Sequence, residues 1–414
     1  MTSPVAPGRF PDGFLWGTAS AAHQVEGDDR NSDWWEFEQQ PGRIANGDTS
    51  GIANDHYHRY REDFALLREL NQNAHRLSIE WSRIEPSQGD FDARQIRHYR
   101  DVLADLREQG MEPMVTLHHF TSPLWFARKG GWSARDATHA FLPFVRHVVD
   151  ELGDLVGLWC TINEPSLYGA NGWVSGEFPP GRRGDIAGLY RVTSNMRKAH
   201  ELAYLAIKRR WPDAQVGLSH HKLLMLPASN NRRDRWAAQT AQIALDRWPV
   251  GPGHLRRVVE ATCDYVGIAH YWGQMCAFDP GRPQDQFIHR FNVPGRPVTA
   301  MGMSSDPSWM RLVLNELRSL EKPVYITENG LGSDDDEWRR RYIIEILSNV
   351  LLAIGDGVDV RGYFHWTNTD NFEWARGYAT RFGLIDVDRR TLERTIKPSG
   401  HLYGRIAQAN ALPD

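Results

Sequence analysis

Short apolar runs that stop at a polar residue, each followed by a stretch whose apolar positions recur every three or four residues, repeat along the whole chain. Pro323-Val324-Tyr325-Ile326 runs into Thr327-Glu328-Asn329-Gly330, and Leu158-Trp159-Cys160-Thr161-Ile162 runs into Asn163-Glu164-Pro165. β-branched and aromatic residues in such runs favour buried strands, and the Asn-Gly and Glu-Pro steps end them. Residues 14–20, 74–80, 114–119, 214–220, 264–271 and 360–366 read the same way. Between them the period lengthens to that of a helix. Tyr57, Tyr60, Phe64, Leu67 and Leu70 mark one helix; Ile96, Tyr99, Leu103 and Leu106 mark a second, stopped by Gly110. Phe141, Phe144, Val148 and Leu152 mark a third, with Ser133 as candidate cap. Residues 189–210, a segment opening at Ser308, and the run through Trp338, Tyr342, Ile346, Leu347, Val350 and Leu351 supply others, while 272–307 reads as loops.

Strand followed by helix, eight times, is the pattern of an α/β protein folded as a single (β/α)8 TIM barrel. Candidate strand ends at Gln24, Glu80, His119, Glu164, His221, Tyr271, Glu328 and Trp366 lie 56, 39, 45, 57, 50, 57 and 38 residues apart. That regularity favours one catalytic domain over residues 1–414 rather than the two or three that length alone would allow. Active sites of such barrels form where the strand C-termini meet their loops. Gln24, His119, Asn163, Glu164, Tyr271, Glu328 and Trp366 all fall there.

Composition narrows the function. With 41% hydrophobic and 24% charged residues the chain can bury a large core, and a net charge of -4 excludes a basic nucleic-acid footprint. No uncharged apolar run is long enough to cross a membrane. Residues 1–10 lack the basic start and apolar core of a secretory signal, so a cytoplasmic location is expected. Cys160, Cys263 and Cys276 are odd in number and without metal spacing, which fits reduced thiols. The 16 Trp residues suit either a core or a surface on which sugar rings stack.

Carboxylates at the ends of strands four and seven approach each other across a barrel mouth. One can protonate a leaving oxygen while the other attacks or stabilises a cationic carbon, as in glycoside hydrolysis. Either Glu alone could be a paired structural residue; both together, flanked by Asn and the other polar strand ends, fit that reading poorly. His118, His119, His220 and His221 lack a His-Glu-x-x-His or Cys partner, so hydrogen-bonded or packed histidines are expected, and no metal or cofactor. Trp366-Thr367-Asn368-Thr369-Asp370-Asn371-Phe372-Glu373-Trp374 combines apolar faces with carboxylate acceptors, which suits a pyranose ring; an aromatic loop packed over the barrel is the alternative.

At these residues the chain resembles glycoside hydrolase family 1, the retaining β-glucosidase and β-galactosidase family. Six motifs in order carry the likeness: Phe14-Leu15-Trp16-Gly17-Thr18-Ala19-Ser20-Ala21-Ala22-His23-Gln24-Val25-Glu26-Gly27, Arg76-Leu77-Ser78-Ile79-Glu80-Trp81-Ser82-Arg83, Thr161-Ile162-Asn163-Glu164-Pro165, Ile326-Thr327-Glu328-Asn329-Gly330, Asp370-Asn371-Phe372-Glu373-Trp374 and Arg381-Phe382-Gly383-Leu384. The resemblance implies that Glu164 is the general acid/base and Glu328 the nucleophile, with Arg76 and Tyr271 orienting Glu328. It further implies that Gln24, His119, Glu373 and Trp374 bind ring hydroxyls, Asn163 the 2-hydroxyl, Trp366 the sugar face, and Phe382 the region of the 6-position. The implied partner is a small-molecule β-glycoside.

Several positions depart from the family's pattern. Ala269-His270-Tyr271 stands where Asn-Tyr-Tyr is usual, His23 where Tyr is common, and His119-Phe120-Thr121-Ser122-Pro123 where His-Trp-Asp-Leu-Pro is commoner. The chain is also short for the family, which implies trimmed loops on the aglycone side. The branch that acts on 6-phosphosugars carries Ser, Lys and Tyr at the positions of Glu373, Thr380 and Phe382, so an unphosphorylated substrate is implied, glucoside first, then galactoside or fucoside. A transglycosylase is the alternative within enzymes. A non-catalytic sugar-binding protein is the other, and it would keep the aromatic platform while losing a carboxylate.

Overall fold

A computed structural model describes residues 8–242, 254–282 and 287–413. The expectation about a secretory signal rests on residues 1–10, of which 1–7 lie outside the described residues. Eight parallel strands close into a barrel: Leu15–Ala19 (β1), Ala74–Ser78 (β2), Glu112–His118 (β3), Leu158–Asn163 (β4), Gln215–His221 (β5), Val266–Ala269 (β6), Val324–Asn329 (β7) and Val360–Trp366 (β8). Neighbours in sequence are neighbours in the sheet. The ring closes where Leu15 lies beside Gly362 and Ala19 beside Trp366.

Helices His56–Glu69 (α1), Ala93–Glu108 (α2), Ala137–Leu152 (α3), Ile186–Arg210 (α4), His254–Thr262 (α5), Trp309–Leu317 (α6), Asp336–Gly355 (α7) and Pro398–Ala409 (α8) follow the strands in turn. Strands buried on both faces read as apolar runs, and every residue of β2, β4 and β7 is buried. The helices turn one stripe inward. On α3 that stripe is Phe141, Phe144, Val145, Val148 and Leu152, all buried, each contributing about 1.5–3 kcal/mol through removal from water.

Some expectations need correction. Ser133 does not cap α3; Asp136 precedes the helix, and the Ser133 hydroxyl donates to the Gly130 carbonyl at 2.7 Å in a separate turn. Gly130 and Gly131 both have positive φ, which breaks the chain before the helix begins. Gln24 is not on a strand: β1 stops at Ala19, and Gln24 lies in the short helix Ala22–Val25. Tyr271 likewise lies two residues beyond the end of β6.

The stretch 272–307, read as loops, holds two of the three strands of a second sheet. Leu224–Pro227 pairs in parallel with Gly273–Phe278, which pairs antiparallel with Ile288–Phe291. The helix Arg232–Gln242 packs on it through Ala237, Ala238 and Ala241, around Met225, Cys276 and Ile288. Its strands pair across a sequence separation that no local pattern bridges. Among the described residues, no helix is long and apolar enough to cross a membrane.

Candidate active site

Both acidic strand ends sit just past an irregularity in the sheet. The register of β4 against β5 shifts between Cys160 and Asn163, and that of β7 against β6 shifts between Ile326 and Glu328. Such shifts bend a strand and re-aim its next side chain. Glu164 adopts a left-handed backbone (φ 40°) between β4 and the helix Pro165–Ala170, and its N–H donates to the Ser219 carbonyl of β5 at 2.8 Å. Pro165 has no N–H to satisfy, so it opens that helix without cost.

After Glu328 the chain is clamped. The Asn329 amide donates to the His270 carbonyl (2.5 Å) and to the Tyr342 hydroxyl (2.9 Å), and its oxygen accepts from the Tyr363 hydroxyl (2.8 Å). At Gly330 a Cβ would collide with the Trp366 carbonyl, so glycine alone fits against the end of β8.

Glu328 is held from two sides. Arg76 of β2 donates to Oε1 at 2.5 Å, and the Tyr271 hydroxyl donates to Oε2 at 2.9 Å. Arg76 also donates to Asn163 Oδ1 (2.7 Å) and Thr116 Oγ1 (3.1 Å) from a fully buried position. Burial pushes the Glu328 carboxyl up to about 7; Arg76 and Tyr271 pull it back, while the charge of Glu164 adds to the rise. Arginine cannot give up its proton, so protonating Glu328 would strand a buried guanidinium. The ion pair therefore favours the charged form.

The other side of the site is built from Asn163 outward. Its Nδ2 donates to His119 Nε2 at 3.0 Å, which makes that nitrogen an acceptor and puts the ring proton on Nδ1. Burial, then Arg76, hold His119 well below the usual histidine range, consistent with a neutral ring. His119 lies nearly parallel to Trp366 (5.7 Å, 26°) and Trp374 (6.1 Å, 24°). Gln24 Nε2 donates to the Phe372 carbonyl (2.8 Å) and to Glu373 (3.3 Å). Burial pushes Glu373 up to about 8; bonds from Trp366 and Gln24 oppose this, and Glu328 and Glu164 reinforce it. Phe382 meets Tyr271 edge to face at 5.8 Å.

The candidate catalytic and sugar-binding residues thus lie together at the C-terminal mouth of the barrel. Among the described residues, Gln24 Oε1 and His119 Nδ1 are buried without a protein partner. An open acceptor and an open donor within the site suit a ligand rich in hydroxyls.

The departures have structural counterparts. His23 fits between Asp29 (3.2 Å) and Glu38 (3.4 Å), and its ring stacks on Trp374 at 5.9 Å and 5°. Burial alone would lower it, yet bonds to the two carboxylates raise it to about 10, so a buried imidazolium props the Trp374 ring. Thr121 donates to Glu80 at 2.7 Å. His270 turns to the Lys222 carbonyl at 2.6 Å, and burial lowers it to about 4. His118 receives the Trp132 indole at 3.0 Å and is a packed histidine. Of the two roles expected for His221, hydrogen-bonded or packed, the structure gives the first: its Nδ1 lies 2.6 Å from Glu164 Oε1. Its place at the end of β5 was the signal that it faces the site.

The model of Glycosyl hydrolase family 1 matches residues 6–255 and 253–412. Beta-glucosidase A of Thermotoga maritima is 33% identical over 447 aligned positions, covering 98% of this chain and 99% of the relative. That alignment is longer than the 414 residues here, so the relative has segments that this chain lacks. The solved family 1 β-glucosidase of the same organism in complex with isofagomine lactam superposes with a TM-score of 0.92 at 31% identity, covering 98% of this chain and all of that one. A β-glycosidase from Pyrococcus horikoshii gives 0.90 at 35% identity, covering 99% of this chain and 97% of its own.

Proposed function

The chain belongs to glycosyl hydrolase family 1, and on that premise we propose that it is a retaining β-glucosidase acting on unphosphorylated β-D-glycosides by double displacement. The observation that carries this reading is the Glu328 carboxylate gripped by Arg76 and Tyr271 while the charge of Glu164 acts on it. In the first step the Glu164 proton passes to the glycosidic oxygen as the bond from that oxygen to C1 breaks, and Glu328 forms an ester to C1. In the second, Glu164 takes a proton from water, which attacks C1 and displaces Glu328.

Electrostatics orders the steps. Neighbouring carboxylates resist being charged together, the charge of Glu164 raises Glu328, and Arg76 biases the charge toward Glu328. Esterification then removes that charge, which frees Glu164 to act as base. Gln24, His119, Glu373 and Trp374 are read as contacts for ring hydroxyls, with the open Gln24 Oε1 and His119 Nδ1 as support. Asn163, oriented between Arg76 and His119, is read as the contact for the 2-hydroxyl. Trp366 is read as the platform for the sugar face. Glu373 and Phe382 offer a carboxyl and a phenyl ring, neither of which compensates the desolvation of a phosphate.

The site sits in what we read as one catalytic domain, residues 1–414, with no metal or cofactor in the reaction. The free, buried Cys160, Cys263 and Cys276 support a cytoplasmic setting. Initial rates on nitrophenyl β-glucoside, β-galactoside, β-fucoside, β-glucoside 6-phosphate and α-glucoside test the function. Fast release from the unphosphorylated β-sugars, glucoside foremost, is expected, and silence across them would refute it. Glu328→Gln should remove turnover while the circular-dichroism spectrum stays native; near-normal rates would take the nucleophile role from Glu328.

A further inference from the structure

We propose that His221 is a positioning residue that shares the catalytic proton with Glu164, so that a Glu164–His221 pair rather than a lone carboxyl is the acid/base. This rests on the acid/base reading of Glu164. The two side chains are 3% and 4% exposed, and His221 Nδ1 stands 2.6 Å from Glu164 Oε1. At that distance, shielded from water, one proton bridges the two groups in a charge-assisted bond.

The backbone supports the same pairing. Glu164 donates its N–H to Ser219 of β5, and His221 follows two residues later, on the same face of that strand. One strand therefore fixes both partners. In the sheet register His221 lies beside Ala269 of β6. Side-by-side residues in parallel strands point to the same face, so the imidazole's neighbour on that face is the small methyl of Ala269.

The charged groups around the pair are engaged elsewhere or held protonated. Glu328 and Glu373 act on the same mouth, and burial followed by the charges of Glu328 and Glu164 raises Tyr271 well above its usual range, keeping that phenol protonated. Arg76 spends its charge on Glu328. Lys222 reaches Glu316 at 3.0 Å, and His270 is neutral at physiological pH. During glycosylation the proton leaves the pair for the glycosidic oxygen; when it rests on His221 it first crosses to Glu164 Oε1. The C1 bond to that oxygen breaks with its electrons going to oxygen, and Glu328 bonds to C1. During hydrolysis a proton from the attacking water returns to the pair as the Glu328 ester breaks.

The test compares pH profiles of kcat/KM for the full chain and for His221→Asn and His221→Phe, on phenyl β-glucoside and on 2,4-dinitrophenyl β-glucoside. Only the first leaving group needs the proton. Loss of the pair should move the alkaline limb for phenyl β-glucoside down by about one pH unit, read as about a tenfold lower kcat/KM on that limb. The dinitrophenyl substrate should lose a smaller factor. An unmoved or raised limb in a folded variant overturns the proposal. Should both variants misfold, ¹⁵N-histidine NMR decides: Glu164→Gln should shift the titration of one imidazole, and unchanged histidine resonances would refute the pairing. Azide rescue of Glu164→Ala on the dinitrophenyl substrate, yielding a β-glycosyl azide, tests the underlying reading separately. Rescue with an unmoved limb would remove His221 alone, and absence of rescue in a folded Glu164→Ala would remove both.

Discussion

Arg76 joins the two halves of the candidate site, because its fork reaches Glu328 and Asn163 at once and its Nε reaches Thr116. A lysine is a point charge on a flexible stem and cannot span both partners. Arg76→Lys should therefore keep part of the attraction for Glu328 while releasing Asn163, and with it His119. The expected result is a loss in kcat/KM of at least about tenfold, together with destabilisation approaching the roughly 3–5 kcal/mol of a broken buried pair. Steady-state kinetics and urea unfolding measure the two, and a variant with native values in both would show that the fork is dispensable. Arg76, Glu164 and Glu328 were legible in the sequence because each falls in a short motif. The pairing of His221 was not, since its partner lies 57 residues away and the end of a strand is a place that His221 shares with the packed His118.

At the scale of elements, the shifts in β4 and β7 and the turn after Glu328 aim the carboxylates. Gly330 is the test position. Its Cβ would strike the Trp366 carbonyl, whereas at Gly355, the last residue of α7, a Cβ meets nothing within 4 Å. Gly330→Ala should pry β7 from β8, lowering both Tm and turnover. Gly355→Ala should be neutral or raise stability by about 0.4–1 kcal/mol, through the smaller entropy of the unfolded chain. Equal thermal stability of the two variants would mean that the close approach at Gly330 carries no constraint. Periodicity disclosed the barrel strands and most of the barrel helices within a few residues. It did not disclose the sheet of Leu224–Pro227, Gly273–Phe278 and Ile288–Phe291, whose first two strands are paired but distant in sequence.

Across the whole molecule, buried titratable groups shape the dependence of stability on pH. Burial lowers His75, His118, His220 and His365 to about 3 and His98, His200 and His270 to about 4. The unfolded chain therefore binds more protons at these residues below 6.5, and stability falls as the solution is acidified through that range. Burial raises Asp33 and Glu328 to about 7 and Glu80 and Glu373 to about 8, and His23 is raised to about 10. There the folded chain holds more protons, so stability is lost as pH rises through those values. Above pH 6.5 the depressed histidines are neutral in both states and add no further stability, while the raised carboxyls and His23 still subtract from it, so Tm falls from pH 6.5 toward pH 9. A Tm that climbs steadily from pH 5 to pH 9 would contradict this balance.

By itself the sequence determined the alternation of strand and helix, the closed barrel that eight such units form, and the residues gathered at its mouth. Those follow from local periodicity and from motifs whose parts are adjacent in the chain. Only the tertiary structure decided that Arg76 reaches Glu328 and Asn163 at once, that His23 sits between Asp29 and Glu38, and that β5 brings an imidazole to Glu164. Each of these depends on contacts made only in the folded chain, and on burial, which sets the protonation of a group only once water has been excluded from it.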